Sequence, residues 1–302
     1  MEYMIGIDSG GTKTEAIAYN LKGKELVRCQ TGFGNLLMDK KRGLSNLEEA
    51  MEIIFDQLGE KDCQSVVVGL AGLDSGDFKK ELNTYFSHYQ PTIIFINDAW
   101  LSYYALLKGK DGCLVISGTG SICIGQRSEE TARVGGWGNI LGDEGSGYWI
   151  AKTMIRRLLL EADTNENYSF LSKKLMDTLQ AKTVFDVVNY MYTHEKDQIA
   201  DLATIVAESA TFGDAAAIEI LKEAGYVLAE QVKLLITKLG FNKDVTIGIT
   251  GSVLKKNSIV YHSFSEKLIQ QPLLITFVKE LDSNTIGGYY YYKNKVTRNE
   301  EC

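Results

Sequence analysis

Two short loops, each rich in glycine and hydroxyl side chains, constrain the fold of this 302-residue chain more than any other feature. The first is Asp8-Ser-Gly-Gly-Thr-Lys-Thr14 and the second is Ser117-Gly-Thr-Gly-Ser121. Apolar runs precede and follow each loop, and this pattern predicts a strand, a tight turn and a second strand. Because the same arrangement occurs near residue 8 and again near residue 117, the sequence predicts two lobes built from a related unit.

The chemistry of both loops suits phosphate binding. Glycine has no Cβ atom to keep an anion away from the backbone, and successive N–H groups in such a turn form an anion-binding concavity. The candidate nucleotide-binding residues are Gly10, Gly11, Thr12 and Lys13 in the first loop, and Gly118, Thr119 and Gly120 in the second. Neither loop has the spacing of a P-loop or of a dinucleotide-binding fingerprint. An ordinary hairpin turn with a solvated lysine is the alternative interpretation of the first loop.

Two acidic residues lie at the ends of predicted strands. Asp8 ends the first strand, where it can bind a hydrated cation that arrives with phosphates. Asp98 follows a strand over Thr92–Ile96 and directly precedes a helix over Ala99–Leu107. A carboxylate between a strand end and a helix start is held on a fixed platform, which a general base requires.

Strands and helices alternate from residue 45 to residue 116, which predicts an α/β lobe with helices packed on a sheet. The first helix is expected over Ser45–Leu58, because Ser45 and Glu48 fit a capping box. Asn35 lies after a break at Gly32, and its amide can bind a hydroxylated ligand. A lone loop asparagine is also a common turn former, so both interpretations stay open.

The segment from Gly135 to Tyr148 contains six of the chain's 29 glycines, at positions 135, 136, 138, 142, 145 and 147. Such a density suits backbone that must approach a ligand closely. A helix expected from near Glu144 to about Glu161 points its first amides back at this loop. A flexible surface loop is the alternative, and the apolar residues Trp137, Ile140 and Leu141 argue against it.

The chain after this helix is predicted to be mostly helical to about residue 240. A strand is then expected over Val245–Thr250, and it ends at Gly251-Ser252. We therefore expect an α/β protein with two lobes and a cleft between them, residues 1–115 forming the first lobe and 116–302 a helix-rich second lobe. A final helix near 285–295 is expected to pack back on the first lobe.

Composition and charge limit the binding partners and the cellular compartments that are consistent with the sequence. The formal charge of -7 disfavours nucleic acid as the main partner, and no apolar run approaches the roughly 20 residues that span a membrane. The five cysteines are scattered, as in reduced cytosolic proteins. With a first strand at the N-terminus instead of a signal peptide, we expect a cytoplasmic protein.

Six motifs in order resemble one superfamily. They are Asp8–Thr14, Asn97-Asp98-Ala99, Ser117–Ser121, Gly135-Gly-Trp-Gly138, Gly142-Asp-Glu-Gly-Ser146 and Thr250-Gly-Ser252. Together they span nearly the whole chain, and they resemble the sugar kinase, heat-shock chaperone and actin superfamily. The chain is most similar to its N-acetylglucosamine kinase branch, which is grouped with the BadF/BadG-type ATPases.

This resemblance implies two ribonuclease H-like lobes that bind ATP and Mg²⁺ in the cleft. It places Thr12 against the terminal phosphates, Thr119 beside ATP, and Gly251 and Ser252 on the adenosine side, with Gly213 as a further nucleotide contact. The sugar-binding residues that it implies are Asn35, Asp98, Gly136, Trp137, Gly138 and Asp143. Asp98 would act as the base, and Mg²⁺ would reach Asp8 through water.

Three functions are consistent with these observations. The first is a kinase for N-acetylglucosamine or a related amino sugar, such as glucosamine or N-acetylmuramic acid. The second is an ATPase that activates a partner radical enzyme, as in the other branch, but the cysteines are too far apart in sequence to suggest its iron–sulfur cluster. The third is a sugar-binding regulator without turnover. The sugar, the phosphorylated hydroxyl, the nucleotide preference and the oligomeric state, with a homodimer among the alternatives, stay open.

Overall fold

The computed structural model describes residues 1–36, 39–73, 78–279 and 283–300. The chain divides into two compact units: unit 1 is Met1–Lys110 with Lys279–Cys302, and unit 2 is Asp111–Val278. The division expected after residue 115 differs by a few residues, because the strand before the second glycine loop begins at Gly112 and pairs entirely within unit 2.

Unit 1 begins with three strands that pair antiparallel in chain order, and two further strands add in parallel. Its elements are β1 (Tyr3–Ser9), β2 (Thr14–Asn20), β3 (Glu25–Thr31), α1 (Lys40–Leu58), a 3₁₀ turn (Glu60–Asp62), β4 (Cys63–Leu70), α2 (Phe78–Tyr85), β5 (Thr92–Asn97) and α3 (Asp98–Leu107). The sheet order is β3-β2-β1-β4-β5. β1 is therefore central, and the loop at its end starts from a rigid, buried strand.

Unit 2 repeats this sheet and adds helices. Its elements are β6 (Gly112–Ser117), β7 (Ser121–Arg127), β8 (Glu130–Gly135), α4 (Gly147–Asp163), α5 (Phe170–Thr178), α6 (Val184–Thr193), α7 (Lys196–Asp201), α8 (Ala203–Thr211), α9 (Ala215–Lys238), β9 (Asp244–Thr250), α10 (Ser252–Lys256), α11 (Ser258–Ile269) and β10 (Leu274–Lys279). The order β10-β9-β6-β7-β8 mirrors that of unit 1. β6 occupies the place of β1, as the two similar glycine loops predicted.

The last helix, α12 (Ile286–Glu300), returns to unit 1 and packs on α3, β1 and β4. Glycine allows this close approach, since a Cβ atom on Gly287 would lie 2.9 Å from Ala105 N and nearer still to Leu101 O. Helix α1 covers one face of the unit 1 sheet with apolar side chains that include Leu47, Met51 and Ile54. No helix in the described part of the chain is long and apolar enough to cross a membrane.

Two helix starts differ from the sequence-based expectation. Helix α1 begins at Lys40 instead of Ser45, because the Asp39 side chain accepts a hydrogen bond from Arg42 N (3.1 Å) and caps the helix earlier. Helix α4 begins at Gly147, because Gly145 has a φ of 76° and Ser146 caps Trp149 N at 3.2 Å. The amides at the start of α4 therefore follow Ser146 instead of Glu144.

Candidate functional site

The first glycine loop of unit 1 is an exposed turn between β1 and β2. Gly10 N donates to Lys13 O (3.0 Å), and the Ser9 and Thr14 hydroxyls at its base lie 3.2 Å apart. Gly11, Thr12 and Lys13 are exposed. The turn thus presents main-chain amides and a hydroxyl to solvent, as a phosphate-binding loop must.

Asn35 is placed beside this loop. Gly34 N donates to Gly10 O at 2.9 Å, and a Cβ atom on Gly34 would lie 2.6 Å from Thr14 Oγ1. This contact requires glycine, and it brings the Asn35 backbone next to the turn. The Asn35 side chain is half-buried there. The sequence pattern alone did not connect residue 35 with residue 10.

Asp8 and Asp98 lie at the same edge of the unit 1 sheet. β1 and β5 both run parallel to β4, with Asp8 opposite Gly69 and Asn97 opposite Leu70. The carboxyl ends of parallel strands meet at one edge, so two acidic groups face one region. Desolvation by burial is the main cause that raises the pKa of Asp8 to about 6, and the negative charge of Asp98 adds to it.

Both carboxylates are held by hydrogen bonds. Asp98 Oδ1 accepts from Ala99 N at 2.9 Å, and the Asn97 side chain caps the same amide at 2.9 Å. Asn284, just before α12, donates from Nδ2 to Asp8 Oδ2 at 3.2 Å. Sequence reasoning missed Asn284, because this contact spans 276 positions and no local pattern indicates it.

Three glycine-containing segments of unit 2 converge at the end of β6: the second glycine loop, Gly142–Gly147 and Gly251-Ser252. Ser117 Oγ donates to Gly145 O and Ser121 Oγ to Glu144 O, each at 2.8 Å. Gly147 N donates to Gly118 O, also at 2.8 Å. The hydroxyls of the second loop therefore hold the segment Gly142–Gly147 against it.

The Gly251-Ser252 motif borders the same loop. Gly251 has a φ of 93°, and a Cβ atom there would lie 2.7 Å from Ser117 N and nearer still to Ser117 C and O. Only glycine allows the chain to pass so close to Ser117 at the end of β6 as it leaves β9. This contact places the predicted adenosine-side motif beside the second phosphate loop.

A cavity of about 330 Å³ opens between these segments and the helices of unit 2. Its apolar lining is Ile150, Ala200, Ala203, Ala207, Leu221 and Val253, and its polar lining is Thr119, Asp201, Thr204, Ser252, Lys256 and Asn257, with Gly118 and Gly147 completing the wall. The volume lies in the range of small-molecule sites. Of the predicted nucleotide-binding residues, Gly118, Thr119 and Ser252 line it. Sequence reasoning missed the helical residues, because helical spacing does not distinguish a cavity wall from a core.

Gly213 lies elsewhere in unit 2. It forms the turn between α8 and α9 with a φ of 81°, and its N–H donates to Ala210 O at 3.0 Å. It is not among the residues that line the cavity. Helix termination accounts for this glycine, since a positive φ commonly ends a helix at glycine.

The segment Gly136-Trp137-Gly138 follows β8, with Trp137 exposed and both glycines half-buried. Trp137, Ile140 and Leu141 are 65%, 84% and 81% exposed, so the expectation that these side chains mark a buried loop was wrong. Gly136 and Gly138 have φ values of 70° and 85°, which favour glycine at both positions. The Arg133 guanidinium stacks 4.3 Å from the centre of the Trp137 ring and orders it.

Asp143 is buried and ion-paired. Its Oδ2 accepts from Lys196 Nζ at 2.7 Å, and only 4% of its side chain is exposed, against 39% for Lys196. A Cβ atom on Gly120 would lie 2.8 Å from Asp143 Oδ2 and 2.9 Å from Lys196 Nζ. This pair therefore rests on the second phosphate loop. No local sequence pattern indicated that Lys196 would pair with Asp143, because the two residues lie 53 positions apart.

Comparison with known proteins identifies the family of this chain. The model of the BadF/BadG/BcrA/BcrD ATPase family matches residues 5–275. The chain belongs to this family. An N-acetylmuramic acid/N-acetylglucosamine kinase of Clostridium acetobutylicum is 34% identical over 279 residues, covering 89% of this chain and 90% of the relative. An N-acetyl-D-glucosamine kinase of Dictyostelium discoideum is 28% identical over 289 residues, covering 89% and 91%.

A solved structure from Chromobacterium violaceum, assigned as an N-acetylglucosamine kinase, superimposes with a TM-score of 0.75. It shares 20% identity and covers 96% of this chain and 98% of its own. At that identity the likeness shows the fold, which is the two-lobe, ribonuclease H-like α/β fold of this family. Membership in an ATPase family makes ATP the nucleotide of this protein.

The acidic edge of unit 1 offers oxygen donors of the kind that Mg²⁺ binds. Within the residues the structure describes, no three His, Cys, Asp or Glu side chains form a group that could hold a metal by themselves. Mg²⁺ usually keeps several waters and binds through one or two carboxylates plus substrate phosphates. The oxygen donors of Asp8 suit that mode.

Proposed function

We propose that this chain is an ATP-dependent kinase that transfers the γ-phosphoryl group to a hydroxyl of N-acetylglucosamine or a related amino sugar. Glucosamine and N-acetylmuramic acid are the related substrates. The observation that carries the proposal is the pair of glycine loops on equivalent strands, accompanied by the anchored carboxylate of Asp98. The amino sugar kinases among its relatives, one of them 34% identical, supply the substrate class.

The nucleotide half of the proposed site has two parts. The cavity of unit 2 takes adenosine: its apolar wall suits the purine faces, and the hydroxyl, amide and carboxylate groups of its lining suit the ribose. Main-chain amides of the loop Gly118–Gly120 and of the turn Gly10–Lys13 bind the phosphates, with the Thr12 hydroxyl at the terminal phosphate. Mg²⁺ would be held through water by Asp8, and it would neutralise charge on the phosphates.

The proposed sugar ligands are Asn35 in unit 1, and Asp143 and the segment Gly136–Gly138 in unit 2. Asn35 and Asp143 bind ring hydroxyls, while main-chain groups of the glycine segment bind the hydroxyl or N-acetyl groups. The exposed Trp137 ring supplies a flat apolar surface, which is the usual partner of a sugar face. The rigid support that Arg133 gives the ring keeps this surface in one orientation.

Asp98 performs the proton transfer in this proposal. Phosphoryl transfer depends mainly on positioning and charge neutralisation, but the attacking hydroxyl must lose a proton as the bond to phosphorus forms. The Asp98 carboxylate accepts this proton while the Ala99 amide holds one of its oxygens.

The two alternative functions receive no support from the described residues. Cys63, Cys113 and Cys123 are buried, and burial is the main cause that raises the pKa of Cys63 and Cys113 to about 12. Buried, protonated thiols are poor ligands for a cluster shared between subunits. A regulator without turnover would not need the anchored Asp98.

The direct test is a panel of amino sugars and neutral hexoses incubated with Mg-ATP while ADP release is followed. We expect ADP release that depends on N-acetylglucosamine, glucosamine or N-acetylmuramic acid and produces one sugar phosphate per ADP. ADP release that ignores every sugar, from protein that binds ATP, would contradict the kinase assignment and favour an ATPase.

A further inference from the structure

Lys196 has no role in the proposed mechanism, although it contacts Asp143, a proposed sugar ligand. It is the first residue of α7, and its ammonium lies 2.7 Å from Asp143 Oδ2. Asp143 is buried, whereas Lys196 keeps 39% of its side chain exposed. The two residues thus form a pair in which the lysine approaches from the solvent side and the carboxylate is enclosed.

Enclosure makes Asp143 dependent on this lysine. A buried carboxylate that loses its cation keeps the cost of desolvation without the compensating attraction. Asp143 also has a φ of 59°, which non-glycine residues rarely adopt, and such conformations persist only where the surroundings enforce them. The bond from Lys196 therefore fixes the direction of a side chain whose backbone is already under strain.

The position of the pair links it to both halves of the proposed site. A Cβ atom on Gly120 would lie within 3 Å of both Asp143 Oδ2 and Lys196 Nζ, so the pair touches the second phosphate loop. Ala200 and Asp201 at the other end of α7 line the cavity. Helix α7 thus supports the nucleotide cavity at one end and Asp143 at the other.

We infer that Lys196 is a positioning residue for the sugar: it holds the Asp143 carboxylate in the orientation in which Asp143 accepts a hydrogen bond from a sugar hydroxyl. This inference rests on the proposed function and on Asp143 as a sugar ligand. An ammonium beside Gly120 has a second conceivable role, direct binding of a nucleotide phosphate, and the experiment separates the two.

The primary variants are Lys196→Met, which keeps the length of the side chain and removes its charge, and Lys196→Arg, which keeps the charge. The matched control is Lys174→Met, since Lys174 forms an interhelical ion pair of similar length with Glu208 (2.8 Å) and lies outside the proposed site. Sugar KM and kcat are measured for each variant, and affinity for a non-hydrolysable ATP analogue is measured by calorimetry.

We expect Lys196→Met to raise the sugar KM by roughly 10- to 100-fold, the range for a hydrogen bond to a charged group. The kcat and the affinity for the ATP analogue should stay within a few-fold. Lys196→Arg should recover most of the sugar affinity, and Lys174→Met should leave the sugar KM unchanged. A folded Lys196→Met protein with an unchanged sugar KM, or with a large loss of ATP analogue affinity, overturns the inference.

A double variant tests whether Lys196 acts through Asp143. In the background of Asp143→Asn, the additional change Lys196→Met should alter the sugar KM by less than about 3-fold, because residues that act as a unit are not additive. Full additivity of the two changes would contradict the positioning role. The wild-type measurement separates failure of the proposed function from failure of the inference. If the wild-type protein phosphorylates no sugar, the proposed function itself fails.

Discussion

Replacement of Gly251 by alanine tests whether the contact between β9 and the second phosphate loop supports nucleotide binding. The added Cβ atom would lie 2.7 Å from Ser117 N and closer still to the carbonyl group of Ser117. All of these are backbone atoms, and real Cβ atoms essentially never approach other atoms within 3.0 Å. No side-chain rotation can relieve the contact, so either the motif or the end of β6 must move.

Two effects set the expected magnitude. The motif or the loop must shift by roughly 1 Å, and misplacement on this scale can lower catalytic efficiency about 10²-fold. The φ of 93° adds backbone strain for alanine, which typically costs about 1 kcal/mol or more of stability. We therefore expect kcat/KM for ATP to fall about 100-fold, with a lower melting temperature.

The assay combines ATP analogue calorimetry, initial rates and thermal unfolding. Gly59→Ala is the matched control, since Gly59 has a φ of 83° but a Cβ atom there would contact nothing within 4 Å. It lies at the end of α1 and should lose stability while ATP affinity stays unchanged. A folded Gly251→Ala protein with wild-type ATP affinity would refute the reasoning that this contact shapes the nucleotide site.

Three further predictions concern the remaining site residues. Asp98→Asn should keep ATP and sugar affinity within a few-fold but lower kcat by roughly 10²–10⁴-fold, as measured by initial rates; near-normal turnover would require another base. Gly138→Val should raise the sugar KM roughly 5- to 150-fold and leave ATP affinity unchanged, and the reverse pattern would place this segment on the nucleotide side. Burial raises the pKa of Asp8 from 3.8 to about 6, so the folded protein binds more protons than the unfolded chain between these values. The free energy of unfolding should therefore decrease as pH rises through this window, and urea unfolding without metal or nucleotide should lose this slope in Asp8→Asn.

Local sequence was sufficient for most of the secondary structure and for placing each of the two glycine loops between a pair of strands. Alternation of strands and helices, and glycines that follow apolar runs, report the geometry of neighbouring residues, which short-range sterics and hydrogen bonds determine. The same reasoning placed Asp98 where a strand ends and a helix begins, and in the structure it is the first residue of α3, with its Oδ1 accepting from the next amide. Even the equivalence of β1 and β6 followed from the repeated loop.

Expectations based on residue type alone were less reliable. Trp137, Ile140 and Leu141 are apolar, yet the structure exposes them, because residue type alone does not decide which loop side chains pack against the rest of the fold. Ser45 and Glu48 have the types of a capping box, yet Asp39 caps α1 earlier. Competing local signals of similar strength are decided by packing.

Contacts between distant positions were decided only by the tertiary structure. Asn284 reaches Asp8 across 276 positions, and Lys196 reaches Asp143 across 53. The cavity wall likewise combines residues from the loop after β6 and from α4, α7, α8, α9 and α10. Residue type and local spacing were enough to predict which residues carry the chemistry. Which side chain orients each of them depends on the packing of whole elements, and no short pattern in one chain encodes that packing.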